Sequence, residues 1–109
     1  MNEIDPNALF ARIRAFEWDD EKYEANLREH EIDFRDARWV IDSPTIVRRS
    51  DRKGEVRYMV FGFVEDKEVV IICTMRGENC RLISARRARR DERQKYHSRI
   101  PRRSKAGED

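Results

Sequence analysis

The stretch EVRYMVFGFVEDKEVVIICTMRGENCRLIS, residues 55–84, decides the fold. Its apolar residues recur with a period of two. Val56, Tyr58, Val60 and Val64 fall on one side of an extended chain; Met59, Phe61 and Phe63 fall on the other, together with Glu55 and Arg57, so that side is polar at one end. EDK (65–67) and RGEN (76–79) are short and rich in turn formers. Residues 55–64, 68–75 and 80–84 are therefore predicted as three consecutive antiparallel strands.

Working outward, TIVRRS (45–50) reads as a further strand joined through the turn DRKG (51–54), which makes a four-strand meander. Ahead of it the period changes to that of a helix. Asp19 reads as an N-cap for DEKYEANLREH (20–30), where Tyr23, Leu27 and His30 form one stripe and Lys22 and Asn26 lie four apart on an adjoining one. Asp33 opens a second helix over FRDARWVI (34–41), with Phe34, Ala37, Val40 and Ile41 at helical spacing. It must end near Asp42, because Ser43 precedes Pro44 and is pushed out of the α region. IRAFEW (13–18) suits a short strand, and residues 1–12 an extension that is mobile or forms a short helix.

After the last strand, residues 85–97 are predicted as a helix. Ala85, Ala88, Glu92 and Tyr96 form one stripe, with Arg86, Arg89, Arg90 and Arg93 fanning out beside it. Pro101 stops that helix. The expectation is an α+β fold: an antiparallel meander with two N-terminal helices and a basic C-terminal helix, one domain over 13–98 between the extension and a flexible basic tail, 99–109. Trp18, Phe34, Trp39 and Phe61 are expected in the core.

A chain of 109 residues supports one core of modest size. Charged residues make up 42% of it and the mean hydropathy is -0.94, but the β-branched and aromatic residues concentrated in 56–72 argue for a folded domain over disorder. The net charge of +2 hides a division: residues 1–75 carry net -5 and residues 76–109 net +7. A basic segment of that kind suits a polyanion, which it binds with release of counterions, or is simply a solvated face. No run approaches the roughly 18 apolar residues of a membrane span, and MNEIDPNALF lacks a basic n-region, so a cytoplasmic location with no membrane partner is expected. Cys73 and Cys80 have no accompanying metal-ligand cluster and read as reduced strand cysteines; no metal or cofactor is expected.

FEWDDEKYEANLREHEIDFRDA, GEVRYMVFG and VVIICTMRGENCRLISARRARRDERQKY together resemble the BrnT family of type II toxin–antitoxin ribonucleases, over about residues 16–96. The resemblance rests on the order and spacing of Trp18, Asp19, Lys22, Asn26, Leu27 and His30, of Gly54 to Arg57, of Arg76, and of Ser84 to Ala88 with Glu92, Arg93 and Tyr96. It implies a RelE-like sheet and a toxin that cuts RNA and inhibits translation. It also implies silencing by a BrnA-type ribbon-helix-helix antitoxin, in a 2:2 heterotetramer that binds operator DNA. Two positions depart from the family pattern: Glu31 stands where glycine is common and Glu29 where a basic residue is usual.

Cleavage without a metal needs a base near the 2′-hydroxyl, an acid near the departing 5′-oxygen and cations around the phosphate. Arg57, Arg76 and Arg86 are the candidates for phosphate binding, since arginine forks hold phosphate oxygens in pairs and stay charged. Glu55 is the candidate base, and His30 or Tyr96 the acid. Lys22, Arg87, Arg89, Arg90 and Arg93 are candidate RNA contacts. Each has a plainer alternative: Glu55 as an ion-pair partner of the arginines, His30 as a charge complementing a helix C-terminus, Tyr96 as a packing residue, Lys22 as a solvated one, and the basic cluster as a partner contact. A module that binds RNA without cutting it, or a pure interaction protein, fits the same charges.

Overall fold

The computed structural model describes residues 3–99. They form the strands β1 (Glu3–Ile4), β2 (Ala15–Glu17), β3 (Ile46–Arg49), β4 (Tyr58–Val64), β5 (Lys67–Arg76) and β6 (Asn79–Arg87). The helices are α1 (Pro6–Phe10), α2 (Asp20–His30), α3 (Ala37–Asp42) and α4 (Arg90–Arg99), with a 3-10 turn at Phe34–Asp36 leading into α3. All six strands join one sheet in the order β1-β3-β4-β5-β6-β2, antiparallel except where β2 runs parallel to β6. The predicted meander is its centre, and the two segments that precede it close the two edges.

Both faces of the sheet are covered, one fully and one in half. On the first, Val47, Tyr58, Val60, Val69, Ile71 and Leu82 pack with Ile32, Phe34, Ala37 and Val40 from the helical segment. Trp18 stacks on Tyr23 there and Phe34 meets both rings edge-on, with centroids 5.8–6.0 Å apart. Gly62 lets α3 lie this close, since a Cβ there would stand 2.8 Å from Val40 Cγ1 and from Ser43 Oγ. Ser43 then closes the end of α3, accepting from Phe63 N–H at 2.9 Å and donating to the Val40 carbonyl. On the second face Phe61, Phe63 and Val70 pack with Ala88 and Tyr96, so α4 covers only the half near the β4–β5 turn.

Several expectations are corrected here. The C-terminal helix begins at Arg90 rather than at residue 85, and 85–87 extend β6. The cause is tertiary: β5 is long enough to offer Ile71, Val70 and Val69 as partners to Ala85, Arg86 and Arg87, and the ladder outweighs the helix propensity of an Ala/Arg run. Ile83 is an extra residue, because Leu82 pairs with Cys73 while Ser84 pairs with Ile72. That bulge moves Ala85 to the core side and Arg86 to the other. Trp39 is 63% exposed rather than in the core, because Ala37 and Val40 take the buried side of the short helix and Trp39 lies on the opposite one. Residues 3–12 contain β1, paired with β3, and α1, whose Leu9 is buried. The tail expected at 99–109 lies, apart from Arg99, outside the described residues.

The helical segment is pinned by local signals that the sequence carried. Asp19 caps α2, accepting from Glu21 N–H at 2.8 Å. Asp33 caps the turn that follows and is held at a pKa of about 2, chiefly by Arg35. Glu31 ends α2 in the left-handed region at φ 60°. A side chain is strained there, so Glu31→Gly is expected to raise stability by about 0.5–1 kcal/mol in urea denaturation.

Candidate functional site

The uncovered half of the second face carries a row of polar side chains, and its anchor is the β3–β4 hairpin. Lys53 and Gly54 at its tip both have positive φ (52° and 81°), as a two-residue type I′ turn requires. Arg52 and Glu55 exchange backbone hydrogen bonds of 2.9 Å across it, and Ser50 N–H donates to the Arg57 carbonyl at 2.8 Å. Thr74, buried in β5, donates to the Val56 carbonyl at 2.7 Å and fastens the hairpin arm to the sheet. Glu55 and Arg57 are thus held beside each other on a rigid element. Arg57 Nε donates to Glu55 Oε1 at 2.8 Å, with both side chains partly open to solvent. This leaves both Nη groups of Arg57 and the second oxygen of Glu55 without a hydrogen bond among the described residues.

Across the strands the row continues. Arg81 lies opposite Thr74 in the β5–β6 register. Its Nη1 donates to Glu17 Oε2 at 2.8 Å, while Asn79 Nδ2 donates to Glu17 Oε1 at 2.9 Å. Those two bonds hold the Glu17 carboxyl below the usual carboxylate range, with a further contribution from Arg76. Arg76 itself stands two residues beyond Thr74 on the same side of β5, is exposed, and makes no hydrogen bond or ion pair among the described residues. Met59 and Ile72, opposite each other and half-buried, separate this row from the half under α4.

The other sequence candidates are placed elsewhere. Arg86 lies on the same face but under α4, where Nη1 and Nη2 grip Glu92 at 2.8 and 2.9 Å with both side chains nearly buried. The pair raises the Arg86 pKa and lowers that of Glu92. Glu92 also accepts from Arg89 N–H at 2.8 Å, so it caps α4 while tying it to β6. Tyr96 is buried at the far end of the face, edge-on to Phe63, and its hydroxyl donates to the Pro44 carbonyl. His30 ends α2, the helix whose Tyr23 packs on the opposite face of the sheet, 3.9 Å from Glu29. Lys22, Arg87, Arg89 and Arg90 are exposed, and Arg93 reaches the Ala88 carbonyl at 2.8 Å and Glu68 at 3.7 Å. The structure therefore brings Glu55, Arg57 and Arg76 to one surface and does not bring His30 or Tyr96 to it.

Sequence reasoning missed Arg81 and Glu17. A signal existed: Arg81 alternates with Cys80 and Leu82, both buried, so its side chain had to lie on the same face as Thr74. That it meets Glu17 required knowing that β2 lines up beside β6. Among the described residues no group of three or more His, Cys, Asp or Glu side chains could hold a metal ion, and no helix is long and apolar enough to cross a membrane.

The family model of the BrnT ribonuclease toxin of type II toxin–antitoxin systems matches residues 18–92, from the start of the helical segment through the Arg86–Glu92 pair. The chain belongs to the BrnT family. The matched region includes Glu55, Arg57, Arg76 and Arg81 and stops short of Tyr96. Comparison with curated proteins gives no match. Membership in this toxin family brings RNA as substrate class and an antitoxin as partner, and the BrnT fold holds its three arginines in two different states. Arg57 and Arg81 are each oriented by a carboxylate and keep spare donors; Arg76 is unheld.

Proposed function

We propose that the chain is a metal-independent endoribonuclease whose site is the Glu55, Arg57, Arg76 and Arg81 row. The observation that carries this reading is the juxtaposition of a carboxylate with an open oxygen and arginines with open Nη groups on one partly solvent-open surface formed by the β3–β4 hairpin and the strands beside it. Glu55 takes the proton of the ribose 2′-hydroxyl. The 2′-oxygen then forms a bond to phosphorus, the bond to the 5′-oxygen breaks, and water supplies the proton of the departing 5′-hydroxyl. Arg57, Arg76 and Arg81 stabilise the charge that builds on the phosphate oxygens, an electrostatic term worth most where donors are already in position.

The same reading extends to regulation. Cutting RNA inhibits translation in the cytoplasm, and a BrnA-type ribbon-helix-helix antitoxin silences the toxin by covering the arginine row, in a 2:2 complex that binds operator DNA. His30, Lys22 and the exposed Arg87, Arg89 and Arg90 then serve partner or RNA contacts outside the reacting centre, with Arg93 already engaged by the Ala88 carbonyl and Glu68.

Product analysis tests the chemistry. Antitoxin-free protein is expected to cut RNA in EDTA, to leave a 2′,3′-cyclic phosphate and a 5′-hydroxyl, and to spare a substrate whose attacking ribose lacks its 2′-hydroxyl. Metal-dependent cutting of the deoxy substrate would sink this mechanism. Binding with no cutting at all would leave a non-catalytic RNA-binding module, which the closed Glu55–Arg57 ion pair would then explain.

A further inference from the structure

The covered half of the second face holds a cleft that the chemistry above does not use. It encloses about 330 Å³ between α4 and the β1–β3 edge, within the size range of small-molecule sites. Ile46 and Phe61, paired across β3 and β4, form its apolar floor with Tyr96. The charges around the floor fall into two sets. Glu92 is satisfied by Arg86, and Glu3 by Arg99, whose Nη2 donates to Oε1 at 2.9 Å. The side chains of Arg48, Asp91 and Lys95 make no hydrogen bond or close ion pair among the described residues, although all three line the cleft; Arg48 and Lys95 act on the Glu3 carboxyl, and Asp91 on Arg86, only through space. They are a donor pair and an acceptor left open above an apolar and aromatic surface.

The cleft also adjoins the proposed site. Arg48 pairs in register with Met59, the next residue on that side of β4 after Arg57. One step of two residues along a strand is about 7 Å, so an RNA strand crossing the arginine row can deliver a neighbouring nucleotide here. Single-stranded RNA is read by splayed bases, whose flat faces rest on apolar or aromatic side chains and whose edges meet polar ones. The open groups call for a base offering N–H donors to one carboxylate and acceptors to a cation. Guanine meets this with its amino edge toward Asp91 and its O6 and N7 toward Arg48.

We propose that this cleft is a guanine-binding subsite beside the scissile phosphate, read by Asp91 and Arg48 with Lys95 toward the flanking phosphate. Only its relation to the scissile phosphate rests on the ribonuclease reading. The test is a titration of the free protein with each of the four nucleoside 5′-monophosphates, followed by amide chemical shifts. GMP is expected to shift Ile46, Phe61 and Lys95 and to bind at least tenfold more tightly than the other three. Asp91→Asn and Arg48→Gln should each abolish that preference; neither side chain makes a hydrogen bond or close ion pair among the described residues, and their charges act on Arg86 and Glu3 only through space, so neither change should disturb the fold. In cleavage assays the same variants should flatten a guanine preference at one flanking position while leaving the product termini unchanged. Equal binding of all four nucleotides, or shifts confined to other surfaces, overturns the proposal. If nucleotides leave the cleft untouched and the antitoxin protects it, the cleft belongs to the protein partner and the proposal falls. If the protein cuts no RNA, the ribonuclease reading fails and the titration still decides the subsite.

Discussion

Replacing Arg76 with alanine is expected to lower the rate of RNA cleavage by about 10²–10³-fold, while RNA affinity falls by less than about tenfold. The guanidinium is exposed and bonded to nothing among the described residues, so its removal leaves no buried partner stranded, and thermal stability should be nearly unchanged. Arg57 and Arg81 have carboxylate partners, and mutating either mixes lost catalysis with a freed Glu55 or Glu17. Arg76 therefore gives the cleaner measurement. Because charge on the phosphate oxygens is greatest in the transition state, the loss should appear in kcat from single-turnover kinetics. A loss confined to KM would make Arg76 a ground-state contact and move the electrostatic role to Arg57 and Arg81.

The second large effect is on stability. Asn26 is 6% exposed on α2 and behaves as a missing strand for the outer edge of β6. Its Oδ1 accepts from Ala85 N–H at 3.0 Å, and its Nδ2 donates to the Ala85 carbonyl at 2.9 Å and to the Ile32 carbonyl at 3.0 Å. β2 pairs with β6 only at residues 79–81, so nothing else among the strands closes that edge at Ala85. Asn26→Ala would leave three buried backbone groups unpaired, each costing about 1–3 kcal/mol. An overall loss of about 3–5 kcal/mol is expected in urea denaturation, a large part of the 5–15 kcal/mol that holds a typical domain. Asn26→Asp keeps the acceptor and loses both donors, so it should also destabilise. Amide exchange at Ala85 reads the same bond directly: fast exchange is expected in Asn26→Ala, and slow exchange there would refute this role.

The family resemblance singled out Asn26 and Arg86 together with Glu55 and Arg76, and nothing in their spacing separates structural from chemical roles. Asn26 closes a strand edge, and Arg86 is spent on Glu92. Partnership in three dimensions makes the distinction, because a guanidinium gripped at both ends has few donors left for a phosphate.

What the sequence determined by itself is local. Alternation in 55–84, the turn residues between the strands, the Asp19 and Asp33 caps and the Ser43-Pro44 stop depend on neighbours within a few positions, and the strands and helices they predict are present, except that the strand predicted over 55–64 begins at Tyr58 and the helix predicted over 34–41 opens as a 3-10 turn before Ala37. The polar end of one strand face, with Glu55 and Arg57, was legible for the same reason. Only the tertiary structure decided the rest. Residues 85–87 became strand because a long β5 lay alongside, Ile83 reversed the facing of Ala85 and Arg86, and Trp39 stayed outside because a short helix buries one side. Arg81 met Glu17, and Arg48 came to face Asp91 and Lys95 across one cleft, through pairings between segments more than 40 residues apart. Such contacts depend on which strands lie side by side, and a periodicity of two or 3.6 carries no information about that.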